Sequence, residues 1–443
     1  MTKNTILIDF LGCKVNSYEV ESLANIFNKR GYHFFDAKTE DSPEVIIINT
    51  CAVTETSVQK DRKMIRHYRS LYPDSILVVM GCYSQYQGKF VLENLGANIV
   101  LGTSNRDKVY DLVQEFKEKH ENVLLHDDHN SIKKYEEIEL SSYEHNTRAY
   151  VKIQDGCSNF CTYCLIPYVR GRSRSRDPED IVSEIKNLVK NGYKEVVLTG
   201  IDMSSYGLDL EKIVDFSGLI EKILVEIKDL YRLRISSIEE SLLDEKFIHL
   251  LAEYPNFANH LHIPLQSGSR RIVELMNRKY DLDGFREKIK KIREVRPDIS
   301  LTTDVIVGFP SETDAEFMET YDFCKEMRFS KIHVFPYSIR EGTVAAKMKD
   351  QVSSETKKER VRKLSSLSNL LQEEYVTDFL DKDIEFLFES YNPKTDSYVG
   401  HSSNYLVVSF KSDEVLTNKI KKVQYNLKNK LNFWQCQNQK TRL

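Results

Sequence analysis

The spacing of three cysteines in the middle of the chain constrains its fold and chemistry more than any other feature. Cys157, Cys161 and Cys164 form a C-x3-C-x2-C pattern directly after an apolar run that predicts a strand ending near Gln154. A loop at the carboxyl end of such a strand can bring three thiolates to one point. Structural zinc takes four protein ligands, whereas three thiolates suit a 4Fe–4S cluster with one iron atom left open. A zinc site and a chance arrangement are the alternatives.

Residues 147–375, which contain this motif, alternate between strand and helix patterns. The predicted strands are Ala149–Gln154, Glu195–Thr199, Arg232–Ser237, His260–Leu265, Thr302–Gly308 and Lys331–Tyr337. Helical segments of a dozen or more residues separate them. This alternation predicts an α/β fold with a full or partial (βα)6 barrel, whose site lies at the carboxyl ends of the strands.

Residues 1–122 show the same alternation and predict a separate N-terminal parallel α/β sheet. Thr5–Phe10, Glu44–Asn49 and Ser75–Met80 are the predicted strands. Ser17–Arg30 and Thr56–Leu71 are predicted helices.

A second set of three cysteines follows the predicted strands of this N-terminal region. Cys13, Cys51 and Cys82 each come directly after one strand. Because the carboxyl ends of parallel strands share one edge, we expect the three thiols to face one another. Three separate buried cysteines are the alternative, since cysteine is often buried. The equivalent positions favour a second 4Fe–4S cluster. Cys324 lies on a predicted helix and is expected in the core, and Cys436 has no partner.

The remaining segments are a linker and a small C-terminal region. Residues 123–146 are polar and without periodicity, which predicts a linker. Residues 376–443 contain short strand-like runs such as Ile384–Glu389 and Tyr405–Phe410, which predict an antiparallel β-domain.

Charge and hydropathy limit the possible partners. The chain has 63 basic and 67 acidic residues, so any nucleic-acid-binding surface must be local. Seven Lys or Arg and no acid follow Val415, and we expect RNA contacts from Lys419, Lys421 and Lys422, with a solvated tail as the alternative. No run reaches the roughly 20 apolar residues that span a bilayer, and the N-terminus lacks signal-peptide features. We therefore expect a cytoplasmic protein with no membrane partner.

The central motif resembles the signature of the radical-SAM superfamily, which implies one 4Fe–4S cluster and S-adenosyl-L-methionine (SAM). The resemblance places Tyr163 beside the adenine of SAM. Other strand ends resemble the SAM-binding segments of that superfamily, and the candidate contacts are Thr199, Gly200, Ser237, Glu239, Thr303 and Asp304. Each of them could instead be an ordinary turn or cap residue.

Nearly the whole chain resembles the methylthiotransferase family. The resemblance rests on LGCKVNSYEVESL at 11–23, NTCAVT at 49–54, KDRKMIR at 60–66 and KIQDGCSNFCTYCLIPYVRGRSRSR at 152–176. It implies a TRAM-like RNA-binding C-terminal domain. It also implies addition of a methylthio group to C2 of N6-threonylcarbamoyladenosine at nucleotide 37 of tRNA. The alternatives are isopentenyladenosine tRNA, a ribosomal-protein aspartate, or a zinc-stabilised RNA-binding protein without catalysis.

Within this family, the central cysteines generate a radical from SAM and the N-terminal cysteines serve sulfur delivery. An electron donor such as flavodoxin or ferredoxin is implied, and no single side chain is expected as a general acid or base. Arg170, Arg172, Arg174 and Arg176 follow the central cysteines at alternate positions. We expect them to hold RNA phosphates or support the cofactor, with a solvated edge as the alternative.

Overall fold

The structure is a computed structural model that describes residues 4–129, 131–137, 147–211 and 214–431. Its N-terminal part is a sheet of six parallel strands in the order β2-β1-β3-β4-β5-β6. The strands are β1 (Thr5–Phe10), β2 (His33–Phe34), β3 (Val45–Thr50), β4 (Ile76–Gly81), β5 (Ile99–Leu101) and β6 (Val123–Leu125). The helices are α1 (Lys14–Asn28), α2 (Glu55–Leu71), α3 (Cys82–Asn94) and α4 (Val109–Lys119).

The central strands of this sheet follow directly from their sequences. Every residue of β3 (VIIINT) and of β4 (ILVVMG) is buried, as expected for parallel strands covered by helices on both faces. Thr54 starts α2 because its side chain accepts a hydrogen bond from Ser57 N at 3.1 Å. The sequence did not reveal β2, β5 and β6, since two or three residues are too few to show a period. The linker prediction for 123–146 is wrong at its start, because Val123–Leu125 forms β6.

The central part is the predicted partial barrel of six parallel strands, formed by two ladders, β7-β10-β11 and β12-β13-β14. Its strands are β7 (Arg148–Lys152), β10 (Glu195–Thr199), β11 (Arg232–Ile235), β12 (His260–His262), β13 (Ser300–Val307) and β14 (Lys331–Pro336). The short strands β8 (Gln154–Asp155) and β9 (Arg174–Ser175) pair antiparallel. The helices are α5 (Ile166–Arg170), α6 (Pro178–Lys190), α7 (Phe216–Glu226), α8 (Glu245–Glu253), α9 (Arg270–Leu275), α10 (Leu282–Val295), α11 (Asp314–Met327) and α12 (Ser354–Thr377). Cys324 is fully buried on α11, which confirms its expected place in the core.

The C-terminal part is an antiparallel sheet in the order β18-β15-β16-β17-β19. Its strands are β15 (Asp383–Asn392), β16 (Ser397–Ser402), β17 (Val407–Phe410), β18 (Ile420–Gln424) and β19 (Lys430–Leu431). This confirms the predicted antiparallel architecture. Cys436 lies outside the described residues.

The C-terminal sheet packs against the amino ends of the barrel strands. Glu195, fully buried at the start of β10, bonds Arg234 Nε at 2.7 Å, Arg232 Nη1 at 2.9 Å and His401 Nε2 at 3.1 Å. The ring of Tyr405 lies 3.8 Å from the Arg234 guanidinium carbon. The carboxyl ends of the barrel strands lie at the opposite end and face the N-terminal part. Among the described helices, none combines the length and apolar composition needed to cross a bilayer.

Candidate active site between two sets of cysteines

The N-terminal cysteines share the carboxyl edge of three neighbouring strands. Cys13 follows β1, Cys51 follows β3, and Cys82 follows β4. Gly12 has φ +120°, and a Cβ placed on it would lie 3.2 Å from Cys51 Sγ, so the loop carrying Cys13 runs directly against Cys51. Burial raises the pKa of the Cys51 thiol, and the charges of Cys82 and Cys13 raise it further. The three thiols therefore lie within electrostatic reach of one another.

Polar side chains from both parts of the molecule support this edge. Arg170 of α5 donates from Nε to Cys82 Sγ at 3.2 Å and from Nη2 to Asn16 Oδ1 at 3.1 Å. Asn16 in turn donates to the Leu11 carbonyl at 2.7 Å. Burial raises the pKa of Cys82 to about 11, although the Arg170 cation opposes the rise. A charged donor on this sulfur would stabilise a thiolate.

The central cysteines occupy the loop between the paired strands β8 and β9. Backbone N–H groups point at two of the sulfurs: Asn159 N lies 3.4 Å from Cys157 Sγ, and Ile166 N lies 3.5 Å from Cys164 Sγ. Burial raises the pKa of Cys164 to about 12, which the Ile166 N–H opposes. Such donors favour the deprotonated sulfur that a metal requires.

The spacing of the thiols distinguishes a site for an iron–sulfur cluster from a site for a single metal ion. Tetrahedral zinc with Zn–S bonds of about 2.3 Å holds its sulfurs roughly 3.8 Å apart. Among the described residues, one group of three His, Cys, Asp or Glu side chains has all its ligand atoms within 4.8 Å of one another. That group is His262, Asp304 and His333, and it contains no cysteine. Neither set of cysteines is that compact. A set of three thiolates that exceeds this limit does not suit a single tetrahedral ion, and the chemistry of three thiolate donors fits a 4Fe–4S cluster with one open iron atom.

The two sets of cysteines lie close together. A charge on Cys82 raises the pKa of the Cys164 thiol, so the two sulfurs interact electrostatically. Helix α5 joins them, because it begins two residues after Cys164 and carries Arg170, the donor to Cys82. A molecule held between the two sets could therefore be reached from both.

Most of the candidate SAM contacts lie at or just after the carboxyl ends of barrel strands, whereas Asp304 lies within β13 and pairs with His262 at 3.2 Å. Tyr163 packs against the apolar cluster of Ile272, Met276, Phe309, Tyr337 and Ala345. Thr199 ends β10 and Gly200 follows it, Ser237 follows β11, and Glu239 pairs with Arg278. The structure contradicts the prediction that Thr303 contacts SAM. This residue is fully buried, and its hydroxyl donates to the Ile263 carbonyl at 2.7 Å and accepts from Leu265 N at 2.9 Å, so it joins β12 to β13 rather than facing a ligand.

The structure corrects the interpretation of the arginine run. The side chains of Arg170, Arg174 and Arg176 are 0%, 4% and 5% exposed. Arg170 pairs with Glu19 at 2.8 Å, and Arg176 pairs with Glu184 at 2.5 Å. Buried, paired arginines cannot bind RNA phosphates, and they form no solvated edge. Of the four, Arg172 alone is exposed, and its guanidinium carbon lies 4.5 Å from the centre of the Phe160 ring.

Several site residues were not predicted from the sequence. Arg278 Nη1 lies 3.7 Å from Cys161 Sγ, and Asp202 accepts from Cys157 Sγ at 3.5 Å. Asp61 accepts from Cys51 N at 2.9 Å, and burial raises its pKa to about 8. None of the three carries a local signal, because each lies far along the chain from the cysteine that it contacts or in a segment without a motif. Asp61 lies in the family-like segment 60–66, which was the only available clue.

A partial barrel of parallel strands with three cysteines in the loop after its first strand defines a radical-SAM enzyme. Residues 151–324 match the model of the radical SAM superfamily, and residues 5–102 match the uncharacterized protein family UPF0004. The structure of the radical S-adenosylmethionine methyltransferase TsrM from Kitasatospora setae is similar in fold. Its TM-score is 0.59 and its identity 15%, over 78% of this chain and 77% of that chain.

Two curated relatives narrow the class. The threonylcarbamoyladenosine tRNA methylthiotransferase MtaB of Bacillus subtilis (strain 168) is 41% identical over 95% of this chain and 93% of its own length. The tRNA-2-methylthio-N(6)-dimethylallyladenosine synthase of the same organism is 36% identical, over 93% of this chain and 82% of its own length. The chain belongs to the radical-SAM methylthiotransferase family. It is therefore a transferase that uses SAM and a 4Fe–4S cluster, and the non-catalytic zinc-protein alternative is wrong.

Proposed function

We propose that this enzyme adds a methylthio group to C2 of N6-threonylcarbamoyladenosine at nucleotide 37 of tRNA. The observation that carries the proposal is the second set of cysteines, Cys13, Cys51 and Cys82, joined to the barrel through Arg170. The higher identity to the threonylcarbamoyladenosine enzyme, 41% against 36%, favours this substrate over dimethylallyladenosine (the isopentenyl-modified base). A ribosomal-protein aspartate is not named for either relative.

Each set of cysteines has a separate role. Cys157, Cys161 and Cys164 would hold the 4Fe–4S cluster, which would supply the electron that cleaves SAM to a radical. Cys13, Cys51 and Cys82 would hold a second 4Fe–4S cluster, which would serve sulfur delivery to the substrate. The aromatic C–H at C2 is not acidic, so ordinary general-base catalysis would not remove its hydrogen. The chain's own residues orient the base between the two sets, while Arg170 and the backbone N–H groups of Asn159 and Ile166 stabilise thiolates.

The other partners follow from this chemistry. A flavodoxin or ferredoxin in the cytoplasm supplies the electron. A base in a folded loop must be turned out to reach a site of this kind. Arg172 is the one exposed arginine among the four that follow the central cysteines. In the C-terminal sheet, the edge strand β18 and the residue before it carry Lys419, Lys421 and Lys422. We assign these four cations to RNA contact, and the C-terminal sheet to a TRAM-like RNA-binding role.

Nucleoside analysis and iron content test this proposal. Deleting the gene should remove 2-methylthio-threonylcarbamoyladenosine from tRNA and leave the dimethylallyl counterpart, whereas the reverse loss would contradict the substrate. Anaerobically purified protein should carry about eight iron atoms, as two 4Fe–4S clusters.

The variant Cys13→Ala separates the two roles. It should abolish methylthiolation and leave reductive SAM cleavage measurable, because the central cysteines are untouched. Cys324→Ala is the matched control, since this thiol is buried in the barrel core away from both sets. Loss of the cluster from both sets in Cys13→Ala would contradict the assignment of two independent clusters.

A further inference from the structure

An exposed phenylalanine lies near the carboxyl end of the last barrel strand. Phe335, the second-last residue of β14, is 42% exposed. Within the described ranges, every other phenylalanine is buried or partly buried. A single exposed apolar side chain is ordinary on a protein surface, so the orientation of this ring and its neighbours decide what it means.

The ring of Phe335 faces the interior of the barrel. The rings of His333 on β14 and His262 on β12 are 5.8 Å apart, although β13 lies between these two strands. Neighbouring strands are about 4.8 Å apart, so the two rings converge on the concave, inner face of the sheet. Successive residues of a strand point to opposite faces. Phe335 therefore shares the inner face with His333, whereas Val334 packs against the apolar core to which helix α12 contributes.

The neighbour of Phe335 across the sheet connects it to the central cysteines. Its register partner on β13 is Ile306. Ile306 and Tyr163 pack against the same apolar cluster, which contains Phe309 and Tyr337. Tyr163 lies within the central cysteine motif, so the wall that carries Phe335 continues to the central loop.

The loop after β14 contacts the surroundings of both sets of cysteines. Near its start, Ser338 Oγ accepts from Glu55 N at 3.2 Å, and Arg340 pairs with Glu55 at 3.0 Å. Glu55 begins α2, and the loop before α2 carries one of the N-terminal cysteines. At the end of the loop, Ala345 N donates to the carbonyl of Thr162, which lies within the central motif, at 2.8 Å. Phe335 therefore lies at the opening between the two sets.

Further apolar side chains are exposed on the same segments. Val53, Ile339 and Val344 are 54%, 52% and 53% exposed. Ile339 and Val344 lie on the loop after β14, and Val53 lies just before the α2 terminus that this loop contacts. Exposed apolar side chains gathered at one opening indicate a binding surface, whereas single ones elsewhere do not.

An unpaired nucleobase fits this opening better than a protein does. The proposed function requires the target base to leave its place in the anticodon loop, which costs the stacking energy that it had there. An aromatic ring at the opening replaces that stacking, because every base has a π face. An electron-donor protein is too large to reach a ring that faces the barrel interior.

We propose that Phe335 is the platform on which the adenine of nucleotide 37 stacks as it enters the site. This inference rests on the proposed function and deepens it, because it names the side chain that receives the base. Val53, Ile339 and Val344 keep water away from the stacked ring. Stacking depends on the base and not on its N6 substituent, so Phe335 contributes affinity without choosing between threonylcarbamoyl and dimethylallyl forms.

Binding of anticodon stem-loops to the full-length, iron-loaded protein tests the inference. One probe carries threonylcarbamoyladenosine at nucleotide 37, and the other carries an abasic site there. Phe335→Ala should weaken binding of the first probe by roughly 5- to 150-fold, as expected when one base loses its aromatic partner. It should leave the abasic probe unchanged, so that the double cycle assigns the coupling to this ring and this base. Equal weakening of both probes would overturn the inference.

Two further variants separate stacking from a general effect on the fold. Phe335→Tyr keeps the aromatic ring and should retain most of the affinity. Leu370→Ala is the matched control, since it truncates an apolar side chain that is 57% exposed on α12, and it should change neither affinity. A loss in Phe335→Tyr as large as that in Phe335→Ala, at unchanged iron content, would refute stacking.

The electron donor provides the competing outcome. If Phe335→Ala slowed reduction of the iron–sulfur protein by flavodoxin and left stem-loop affinity unchanged, the ring would belong to the donor interface and the inference would be wrong.

The two proposals fail differently. A wild-type enzyme that methylthiolates dimethylallyladenosine tRNA and not the threonylcarbamoyl form would refute the proposed substrate, and Phe335 would then show the same coupling to the dimethylallyl probe. Methylthiolation of the threonylcarbamoyl form without coupling between Phe335 and nucleotide 37 would refute the stacking platform alone.

Discussion

Glu19 provides the most direct test of how the two cysteine-bearing parts are held together. It lies on α1 with a side chain 1% exposed, and it pairs with Arg106 at 2.6 Å, Arg170 at 2.8 Å and Lys152 at 3.2 Å. Burial alone would raise its pKa, but Arg106, Arg170 and Lys152 outweigh burial and hold the pKa well below its usual range. One carboxylate thus neutralises cations from both parts of the molecule.

Replacing Glu19 by Gln preserves its size and removes its charge. The cations that remain are buried, and breaking a buried ion pair in this way costs about 3 to 5 kcal/mol. With a urea dependence of about 3 kcal/mol per molar, the unfolding midpoint should fall by about 1 to 1.7 M. Because Arg170 also bonds Cys82, the substitution affects the active site as well as stability.

Urea unfolding followed by circular dichroism measures this shift. Glu93→Gln is the control, since its side chain is 55% exposed and its pair with Lys89 is 3.8 Å long, which predicts a change below about 1 kcal/mol. A Glu19→Gln midpoint equal to that of wild type would refute the reasoning.

The remaining predictions concern pH, the C-terminal sheet and RNA. The folded-state pKa of Glu19 is depressed, so its contribution to stability is present above the unfolded pKa of about 4.3 and is lost as pH falls through the folded value. Below about pH 4.3, the free energy of unfolding should therefore fall more steeply with decreasing pH in wild type than in Glu19→Gln. Glu195→Gln should destabilise the barrel–sheet junction by about 3 to 5 kcal/mol and speed protease cleavage near residues 378–382, whereas equal cleavage rates would contradict the anchoring role. Neutralising Lys419, Lys421 and Lys422 together should reduce the slope of log affinity for tRNA against log salt by about 0.7 to 0.9 for each phosphate that these lysines neutralise, and an unchanged slope would remove them from the interface.

Local sequence patterns were sufficient for the long, regular elements. The runs at 45–48 and 76–80 are apolar throughout, as expected for strands covered on both faces, and the six barrel strands each showed a strand pattern. The same rules failed for β2, β5 and β6, because a strand of two or three residues is defined by its neighbours rather than by its own periodicity.

The arginine run shows where local reasoning ends. Four arginines at alternate positions have the same local pattern whether they face solvent, RNA or the interior. Glu19, more than 150 positions earlier in the chain, determines that Arg170 is buried, and a contact over such a distance leaves no local trace. For the same reason, Arg278 and Asp202 could not be assigned to the central cysteines.

The sequence by itself determined the α/β class, the two sets of three cysteines and the resemblance to methylthiotransferases, because spacing and strand ends are local properties of the chain. Tertiary structure alone decided that α5 joins the two sets, that Thr303 and three of the four arginines are buried, and that His262, Asp304 and His333 come together from three neighbouring strands. These depend on which side chains meet when separate strands and helices pack, and packing is a property of the whole fold.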